Sequence, residues 1–281
     1  RFPMGKFRRL AEVLVEEGLA APGSFHVPAP APASWIALAH ARAYVDQVFA
    51  AEVPARIARE IGFPMTESVA LRARSASAGT VLTGRLALEH GIACNTAGGS
   101  HHARTDRGAG FCVFIDVAVA IRVLSADGLI KRALVIDCDV HQGDGTADIF
   151  AADPDVFTLS IHAERNYPVR KVPSDLDVGL PDGTGDDDYL AVLRDLLPSV
   201  LDEARPDIAF FNAGVDPHRD DRLGRLALTD AGLLERNLLV IDMVRSRGIP
   251  LAGVLGGGYA DDVDVLARRH ALLHRAAAEF A

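Results

Sequence analysis

Several features are scarce in this chain, and each scarcity excludes a class of protein. Only three of the 281 residues are cysteine (Cys94, Cys112 and Cys138), and no two of them have C-x-x-C spacing. A disulfide framework and a cysteine zinc site are therefore not expected, and a reducing, cytoplasmic setting is expected instead. No apolar run approaches the ~20 residues that a membrane span needs, and the N-terminal residues do not resemble a signal peptide.

Basic charge is also scarce. Lysine and arginine total 29 against 38 acidic residues, which gives a net charge of −9. An acidic chain without a basic run is a poor candidate for direct nucleic-acid binding. The same charge mildly favours a cationic substrate, such as a lysine-rich segment or a polyamine.

The composition that remains is globular, with 49% hydrophobic and 24% charged residues. A chain of this length is near the upper size for one hydrophobic core, so we expect a single domain over residues 1–281. The first part, to about residue 92, predicts alanine-rich helices interrupted by Pro28, Pro30 and Pro32. Beyond it, short apolar runs alternate with amphipathic segments, which predicts an α/β fold: a central, mostly parallel sheet with helices on both faces.

The sequence pattern places the elements of this fold approximately. The predicted strands are 92–94, 133–136, 156–159, 208–211 and 250–255. The predicted helices are 35–48, 70–90, 116–125, 143–151, 187–204, 229–247 and 261–278, with Thr229 or Asp230 as a candidate cap. The Pro/Gly/Asp-rich stretch 172–188 predicts a loop.

Polar or glycine-rich residues follow every predicted strand. They occupy 137–145, 160–162, 212–216 and 256–259, and a fifth group, 98–102, follows the first strand. Open α/β sheets place their ligand sites outside the carboxyl ends of the strands. We therefore expect the functional site at this edge of the sheet.

The most informative of these groups is Asp137-x-Asp139-x-His141. Alternate residues of an extended segment share one face, so these three side chains would converge. Two carboxylates and an imidazole are costly to bury unless a cation neutralises them, and the apolar run before them predicts a buried strand. A metal site is thus favoured over an exposed acidic turn. Asp216 could supply a further oxygen ligand, and such a set leaves an open position for water.

His101-His102 and Tyr259 are weaker signals when each is taken alone. A catalytic imidazole needs a carboxylate to hold its tautomer, and Asp137 and Asp144 are available for that role. The three glycines before Tyr259 permit an unusual turn that could present its hydroxyl to a developing oxyanion. A plain loop and a packing aromatic are the simpler interpretations of these features in isolation.

Five motifs together carry a family resemblance. In chain order they are GGSHHA at 98–103, DRGAGFC at 106–112, DCDVHQGDG at 137–145, AGVD at 213–216 and GGGY at 256–259. In this order they resemble the zinc-dependent histone deacetylases, and the chain is identified as a member of that superfamily with its arginase-like α/β fold. Gln142 after His141, and the Asp-Arg-Gly stretch, are most similar to class IV deacetylases and their bacterial relatives.

The resemblance implies zinc-dependent hydrolysis of a linear N-acyl amide, with ferrous iron as the other candidate metal. It implies Asp139, His141 and Asp216 as the zinc ligands. It further implies the catalytic roles of His102 (general base, then acid), His101 (its electrostatic partner), Asp137 (paired with His101), Asp144 (paired with His102) and Tyr259 (donor to the substrate carbonyl and the oxyanion).

The resemblance also implies residues around the substrate and a structural K⁺ or Na⁺. The substrate-channel residues would be Gly110, Phe111, Tyr167, Leu223, Gly257 and Gly258. The monovalent cation would be held by Asp137, Asp139, His141, Ser160 and Ile161, and a second such site would match Phe150, Asp153, Val156 and Ser174.

Other functions remain open at this stage. The same site would serve an amidohydrolase for acetylated polyamines or other small amides. A two-metal ureohydrolase shares the fold, but Pro217 and His218 follow Asp216 where that chemistry needs a further aspartate. A non-catalytic acyl-lysine-binding protein would not need the base.

The expected partners follow from the same considerations. The expected substrate partner is an acyl-lysine protein or a small acylated amine. No direct binding to nucleic acid or to a membrane is expected, and the sequence leaves the oligomeric state open. The low lysine and high alanine contents suggest a bacterial source with a GC-rich genome, for which histones are not the natural substrate.

Overall fold

The computed structural model describes residues 2–281, which build one parallel sheet with helices on both of its faces. Among these residues six strands form the sheet, in the order β1-β6-β5-β2-β3-β4, and every pair of neighbours is parallel. The strands are Ile92–Cys94 (β1), Ala133–Asp137 (β2), Val156–Ala163 (β3), Leu176–Leu180 (β4), Ile208–Asn212 (β5) and Leu251–Val254 (β6). This confirms the α/β class, with an entirely parallel sheet.

Helices connect and cover the strands. They are Lys6–Glu16 (α1), Ala33–Ile36 (α2), Arg42–Phe49 (α3), Ala55–Ile61 (α4), Glu67–His90 (α5), Asp116–Ala126 (α6), Asp144–Phe150 (α7), Asp186–Ala204 (α8), Asp230–Arg245 (α9) and Val263–Ala278 (α10). No helix within residues 2–281 combines the length and the apolar character that crossing a membrane requires.

The central strands are apolar throughout because both faces of the sheet are covered. Along β2, Leu134 and Ile136 enter a core that contains residues of α1, α8, α9 and α10. Their neighbours Ala133 and Val135 enter a second core, which contains residues of the helices from α2 to α7. The period of two along the strand therefore assigns alternate side chains to two separate apolar layers.

The structure corrects three of the sequence-based element boundaries. The stretch 172–188 was expected to be a loop, but it contains β4, which pairs with β3 at the edge of the sheet. The predicted helix 35–48 is two helices, α2 and α3, separated by a turn after Ile36. The third predicted strand, 156–159, continues to Ala163, so Ser160 and Ile161 lie within β3 and not after it.

The order of the strands explains where the functional residues meet. β2 lies between β5 and β3, and β6 lies beside β5, so the polar segments that follow these strands become neighbours. Asp137, the last residue of β2, is in register with Ser160 of β3 and Asn212 of β5. Residues that are 75 positions apart in sequence are thereby brought into hydrogen-bonding distance.

Candidate metal centre and active site

Three buried side chains at the carboxyl edge of the sheet form a cluster that fits a metal ion. Asp139 and His141 follow β2, Asp216 follows β5, and one ligand atom from each lies within 4.8 Å of the others. His141 Nδ1 is 3.0 Å from Asp139 Oδ1 and 3.2 Å from Asp216 Oδ2. Zinc at ~2.0–2.1 Å from each of its ligands, in tetrahedral geometry, places ligand atoms about 3.3 Å apart, so these spacings fit.

Backbone groups orient the two carboxylates of the cluster. Asp139 Oδ2 accepts a 2.6 Å hydrogen bond from the Gly257 N–H, and Asp216 Oδ1 accepts one of 2.9 Å from the Val140 N–H. Each carboxylate is therefore held by an amide that belongs to a different turn. The turns after β2, β5 and β6 are fixed to one another through the ligands themselves.

The electrostatics of the cluster favour a bound cation. Burial, followed by repulsion from the Asp139 carboxylate, raises the pKa of Asp216 to about 7. Burial opposes protonation of His141, but Asp139 and Asp216 outweigh it and raise the pKa of His141 to about 10. Two carboxylates that repel each other in a buried site are stabilised by a divalent ion between them.

His101 forms an ion pair beside the cluster. Its Nδ1 is 2.7 Å from Asp137 Oδ2, and both side chains are buried. Burial alone would lower the pKa of His101, but Asp137 and Asp139 together raise it to about 9. His101 is therefore protonated at neutral pH in this environment.

His102 has the opposite electrostatic character. Its Nδ1 is 2.7 Å from Asp144 Oδ1, and its ring centroid is 4.0 Å from that of His101. Burial, followed by the charge of His101, lowers the pKa of His102 to about 3 in spite of Asp144. The ring is therefore neutral, and with Nδ1 donating to Asp144 its Nε2 is free to accept a proton.

Tyr259 completes the group of predicted catalytic residues. Its ring centroid is 6.2 Å from that of His141, and its backbone N–H donates to Asp221 Oδ2 at 2.7 Å. Burial, followed by the nearby Asp216 and Asp139, raises the pKa of the Tyr259 hydroxyl well above its ordinary value. The hydroxyl therefore keeps its proton and can act as a hydrogen-bond donor.

The glycines before Tyr259 are required by the close approach of this turn to the metal ligands. A Cβ on Gly257 would lie 2.0 Å from Asp216 Oδ2, and Gly258 has a φ of 156°, which side-chain-bearing residues rarely adopt. Gly257 therefore lies against Asp216 and Asp139, the predicted metal ligands. The assignment of Gly257 and Gly258 to the substrate channel stays a prediction.

Two predicted channel residues, Gly110 and Phe111, lie directly against the predicted catalytic residues His102 and Tyr259. A Cβ on Gly110 would be 2.6 Å from the His102 ring. The Phe111 ring stacks on Phe63 with centroids 6.3 Å apart, and it lies 5.9 Å from the Tyr259 ring. These aromatic rings form an apolar wall beside His102 and Tyr259, and the role of this wall as a substrate channel stays a prediction.

The other two channel residues, Tyr167 and Leu223, are partly exposed. The Tyr167 ring makes an edge contact with His102 at 4.8 Å between centroids, and 44% of the residue is accessible. Leu223 is 45% accessible, and its carbonyl accepts a hydrogen bond from the Asn166 side chain. Asn166 therefore joins the segment of Tyr167 to the segment of Leu223, and these two partly exposed residues form the rim of the predicted channel.

The residues predicted to hold a monovalent cation are also brought together. Asp137 and Ser160 are paired across β2 and β3, and Ile161 follows Ser160 in the strand. Ser160 Oγ is 3.0 Å from His162 Nδ1. At the second predicted position, Asp153 forms an ion pair with Arg122. The occupancy of both sites stays a prediction.

The sequence alone did not reveal several residues that orient the site. Arg104 Nη2 is 2.5 Å from Asp144 Oδ2, so it fixes the carboxylate that holds His102. Asp116 accepts hydrogen bonds from the backbone of Gly99 and Ser100, just before the histidine pair. The buried Lys6 donates to the Gly256 carbonyl from 250 residues away. Arg104 could have been suspected from its position two residues after the histidine pair. Nothing in the sequence around Lys6 indicates its contact with Gly256.

The fold and the site together define a parallel α/β protein with a buried Asp-His-Asp cluster beside two histidine–aspartate pairs. A family profile described as the histone deacetylase domain matches residues 1–275. The chain therefore belongs to the histone deacetylase family.

Individual relatives agree with this family. An uncharacterized protein of Picosynechococcus sp. is 48% identical over 99% of this chain and 92% of its own length. Histone deacetylase 2 of Arabidopsis thaliana is 29% identical over 95% of this chain and 74% of its own length. A probable deacetylase of Methanothermobacter thermautotrophicus is 34% identical over 70% of this chain and 61% of its own length. These names support a hydrolase of the deacetylase kind.

A solved structure confirms the fold. The crystal structure of the HDA15 HD domain superposes with a TM-score of 0.78 and covers 95% of this chain and 80% of that chain. The two sequences are 24% identical, so this likeness establishes the architecture alone.

Proposed function

We propose that this protein is a zinc-dependent hydrolase of N-acyl amides, and that it removes an acyl group from the side-chain amine of lysine. The observation that carries the proposal is the Asp139–His141–Asp216 cluster beside a neutral His102 and the Tyr259 hydroxyl. A site of this kind joins a metal-binding set to a proton acceptor and an oxyanion donor, which are the parts that amide hydrolysis needs.

Asp139, His141 and Asp216 would hold the metal. When bound, a divalent zinc or ferrous ion supplies Lewis-acid polarisation of the amide carbonyl and lowers the pKa of a water molecule. We propose zinc because a set of one imidazole and two carboxylates that leaves an open position suits its catalytic sites.

The residues of the chain would move the protons. His102 Nε2 accepts the proton of the attacking water and returns it to the departing amine, while Asp144 holds the tautomer from the other ring nitrogen. Burial, followed by the charge of His101, keeps the pKa of His102 low before reaction. The Tyr259 hydroxyl donates to the carbonyl oxygen as negative charge develops on it.

The substrate class is proposed from the aromatic wall and the charge of the protein. Phe111 and Phe63 suit the aliphatic stem of an acylated lysine, and an acidic chain suits a substrate that carries other cationic groups. An acylated polyamine shares this chemistry and is the second candidate. A non-catalytic acyl-lysine binder is disfavoured because it has no use for His102. We also propose a cytoplasmic, bacterial setting, which the three free cysteines and the Picosynechococcus relative support.

The test is hydrolysis of an acyl panel by the zinc-loaded full chain. The panel holds lysine peptides from acetyl to myristoyl and acetylated polyamines. We expect turnover of lysine peptides, and Tyr259→Phe is expected to lower it by roughly a hundredfold or more, because one oxyanion donor contributes ~3 kcal/mol.

A matched control is Tyr44→Phe, which removes a tyrosine hydroxyl that donates to the Val113 carbonyl and belongs to none of the predicted site groups; it should leave both metal content and turnover close to wild type. Turnover of polyamines alone would move the assignment to a small-molecule amidohydrolase. Absence of turnover across the panel with metal bound would contradict the proposal, and unchanged turnover in Tyr259→Phe would remove Tyr259 from it.

A further inference from the structure

A buried arginine lies beneath the metal cluster, and the mechanism does not use it. Arg236 of α9 is fully inaccessible to solvent and is among the largest completely buried side chains of the described chain. Its Nη1 donates to the Cys138 carbonyl at 3.1 Å and to the Gly214 carbonyl at 2.7 Å. Its Nε and Nη2 both donate to Asn237 Oδ1. In residues 2–281 none of its hydrogen bonds goes to a carboxylate.

The two carbonyls belong to the turns that present the metal ligands. Cys138 directly precedes Asp139 after β2, and Gly214 lies two residues before Asp216 after β5. The turns touch each other, since a Cβ on Gly214 would be 2.8 Å from Asp139 Cα. One guanidinium nitrogen therefore joins the backbones of both ligand-bearing turns at their point of contact.

Packing alone does not account for a charged residue at this position. Removing an arginine from water is costly, and apolar residues of similar volume often serve a buried position as well or better. The guanidinium returns part of that cost only through its fixed set of hydrogen bonds. The two bonds from Nη1 go to the two turns whose separation sets the distance between the carboxylates of Asp139 and Asp216.

We propose that Arg236 is a positioning residue of the metal centre: by tying the Cys138 and Gly214 carbonyls together, it holds Asp139 and Asp216 at the spacing the metal requires. This inference depends on the proposed function, because it assumes that the cluster binds a divalent ion. Arg236 does not contact the ligand atoms, and it acts through the peptide backbone beside them.

The test measures zinc affinity directly by competition with a chelator, using the purified full chain. We expect Arg236→Met to weaken zinc binding by about 10- to 100-fold, as is typical when a group that orients metal ligands is lost. Arg236→Lys should fall between Met and wild type, because lysine keeps the charge but lacks the planar fork. The visible spectrum of the Co²⁺-loaded protein should change in both variants, since it reports ligand geometry.

The control variant is Arg275→Met, which removes an arginine of α10 that pairs with Glu17 away from the metal turns. It should lower the melting temperature of metal-free and zinc-loaded protein equally and leave zinc affinity unchanged. In Arg236→Met the difference between the two melting temperatures should shrink, because weaker binding stabilises the folded state less. If Arg236→Met does not fold, Arg236→Lys carries the same comparison.

The outcomes separate this inference from the proposed function. Wild-type protein that binds no zinc or other divalent ion would overturn both. Wild-type protein that binds zinc, with both Arg236 variants binding equally tightly and showing the same Co²⁺ spectrum, would overturn the positioning role alone. Weaker binding with a changed spectrum in the Arg236 variants, and neither effect in Arg275→Met, would support it.

Discussion

Asp216 is the residue whose replacement tests the ligand set most directly. It would supply one of the three ligand atoms of the candidate cluster from a fully buried position, and burial, followed by repulsion from Asp139, raises its pKa to about 7. We expect Asp216→Ala to lose most of its zinc, because two protein ligands do not hold a catalytic zinc. Elemental analysis of the purified variant after dialysis measures this.

The control for Asp216→Ala is Asp261→Ala, which removes a well-exposed carboxylate from the same carboxyl edge of the molecule. Asp261→Ala should keep its zinc. Full zinc occupancy in Asp216→Ala would show that the ligand assignment is wrong, and equal loss in both variants would indicate general damage to the fold.

The roles of individual residues were predictable to different extents. Alternation in Asp137-x-Asp139-x-His141 was enough to propose a metal site. The expected convergence of all three side chains was only partly right, because residues 139–141 form a bend after β2 and Asp137 pairs with His101 instead of joining the cluster. The residues alone offered Asp137 and Asp144 as candidate carboxylates, and only the family resemblance assigned Asp144 to His102, since these two residues are 42 positions apart. Lys6 and Arg236 were not predictable, because their hydrogen bonds to backbone carbonyls of distant segments leave no pattern in the sequence.

Among the secondary-structure elements, two helices begin with a threonine cap, and the sequence analysis predicted one of the two. Thr229 was a predicted cap of α9, and its Oγ1 accepts a hydrogen bond from the Gly232 N–H. Thr66 occupies the same position before α5 and accepts from the Val69 N–H at 3.2 Å. A threonine in this position satisfies an N–H that the helix itself leaves without a partner.

Removal of the cap on α5 should lower stability by a modest amount. We expect Thr66→Ala to reduce the free energy of unfolding by about 1 kcal/mol, because the Val69 N–H loses its acceptor. Urea denaturation measures the change. Thr66→Ser keeps the oxygen and should be close to wild type, and an alanine variant as stable as the serine variant would refute the role of the cap.

The edge strand β4 shows why one element was missed. Leu176, Val178 and Leu180 are more buried than the residues between them, which is the alternation of a strand with one covered face. The prolines and glycines around this short run predicted a loop, because local composition favours turns. The pairing of β4 with β3 over five residues, which is a tertiary contact, decided the outcome.

At the scale of the whole molecule, buried neutral histidines contribute to the loss of stability in acid. His40 is buried between the Arg104 carbonyl, 2.9 Å from Nδ1, and the Ile115 N–H, which donates to Nε2 at 3.0 Å. Burial lowers the pKa of His40 to about 4, and the pKa of His162 is lowered to about 4 in the same way. The unfolded chain binds protons at these residues before the folded protein does.

The sign of the pH dependence follows from these lowered pKa values. The stabilisation is present above pH 6.5, the ordinary value for histidine, and it is lost as the pH falls through about 4. For His40 the fall from 6.5 to about 4 corresponds to at most about 3 kcal/mol. We expect the free energy of unfolding of the wild-type protein to decrease as the pH falls from 6.5 to about 4. The free energy of unfolding of the His40→Gln variant should decrease less steeply over the same range.

Urea unfolding at a series of pH values tests this expectation. Both proteins share the carboxylates that titrate in the same range, so the difference between their slopes isolates His40. Curves that remain parallel from pH 6.5 to pH 4 would show that His40 does not titrate differently in the folded and unfolded states.

The sequence by itself determined the α/β class, the approximate positions of the central strands, and the side chains that would gather after them. These properties depend on local periodicity, on chain connectivity and on the tendency of parallel strands to end at one edge. Only the tertiary structure decided the order of the strands, and with it the residues that stand beside Asp139 and Asp216. It also placed Arg104, Lys6 and Arg236 against the turns that carry the candidate site, because their contacts cross between segments that are far apart in the chain.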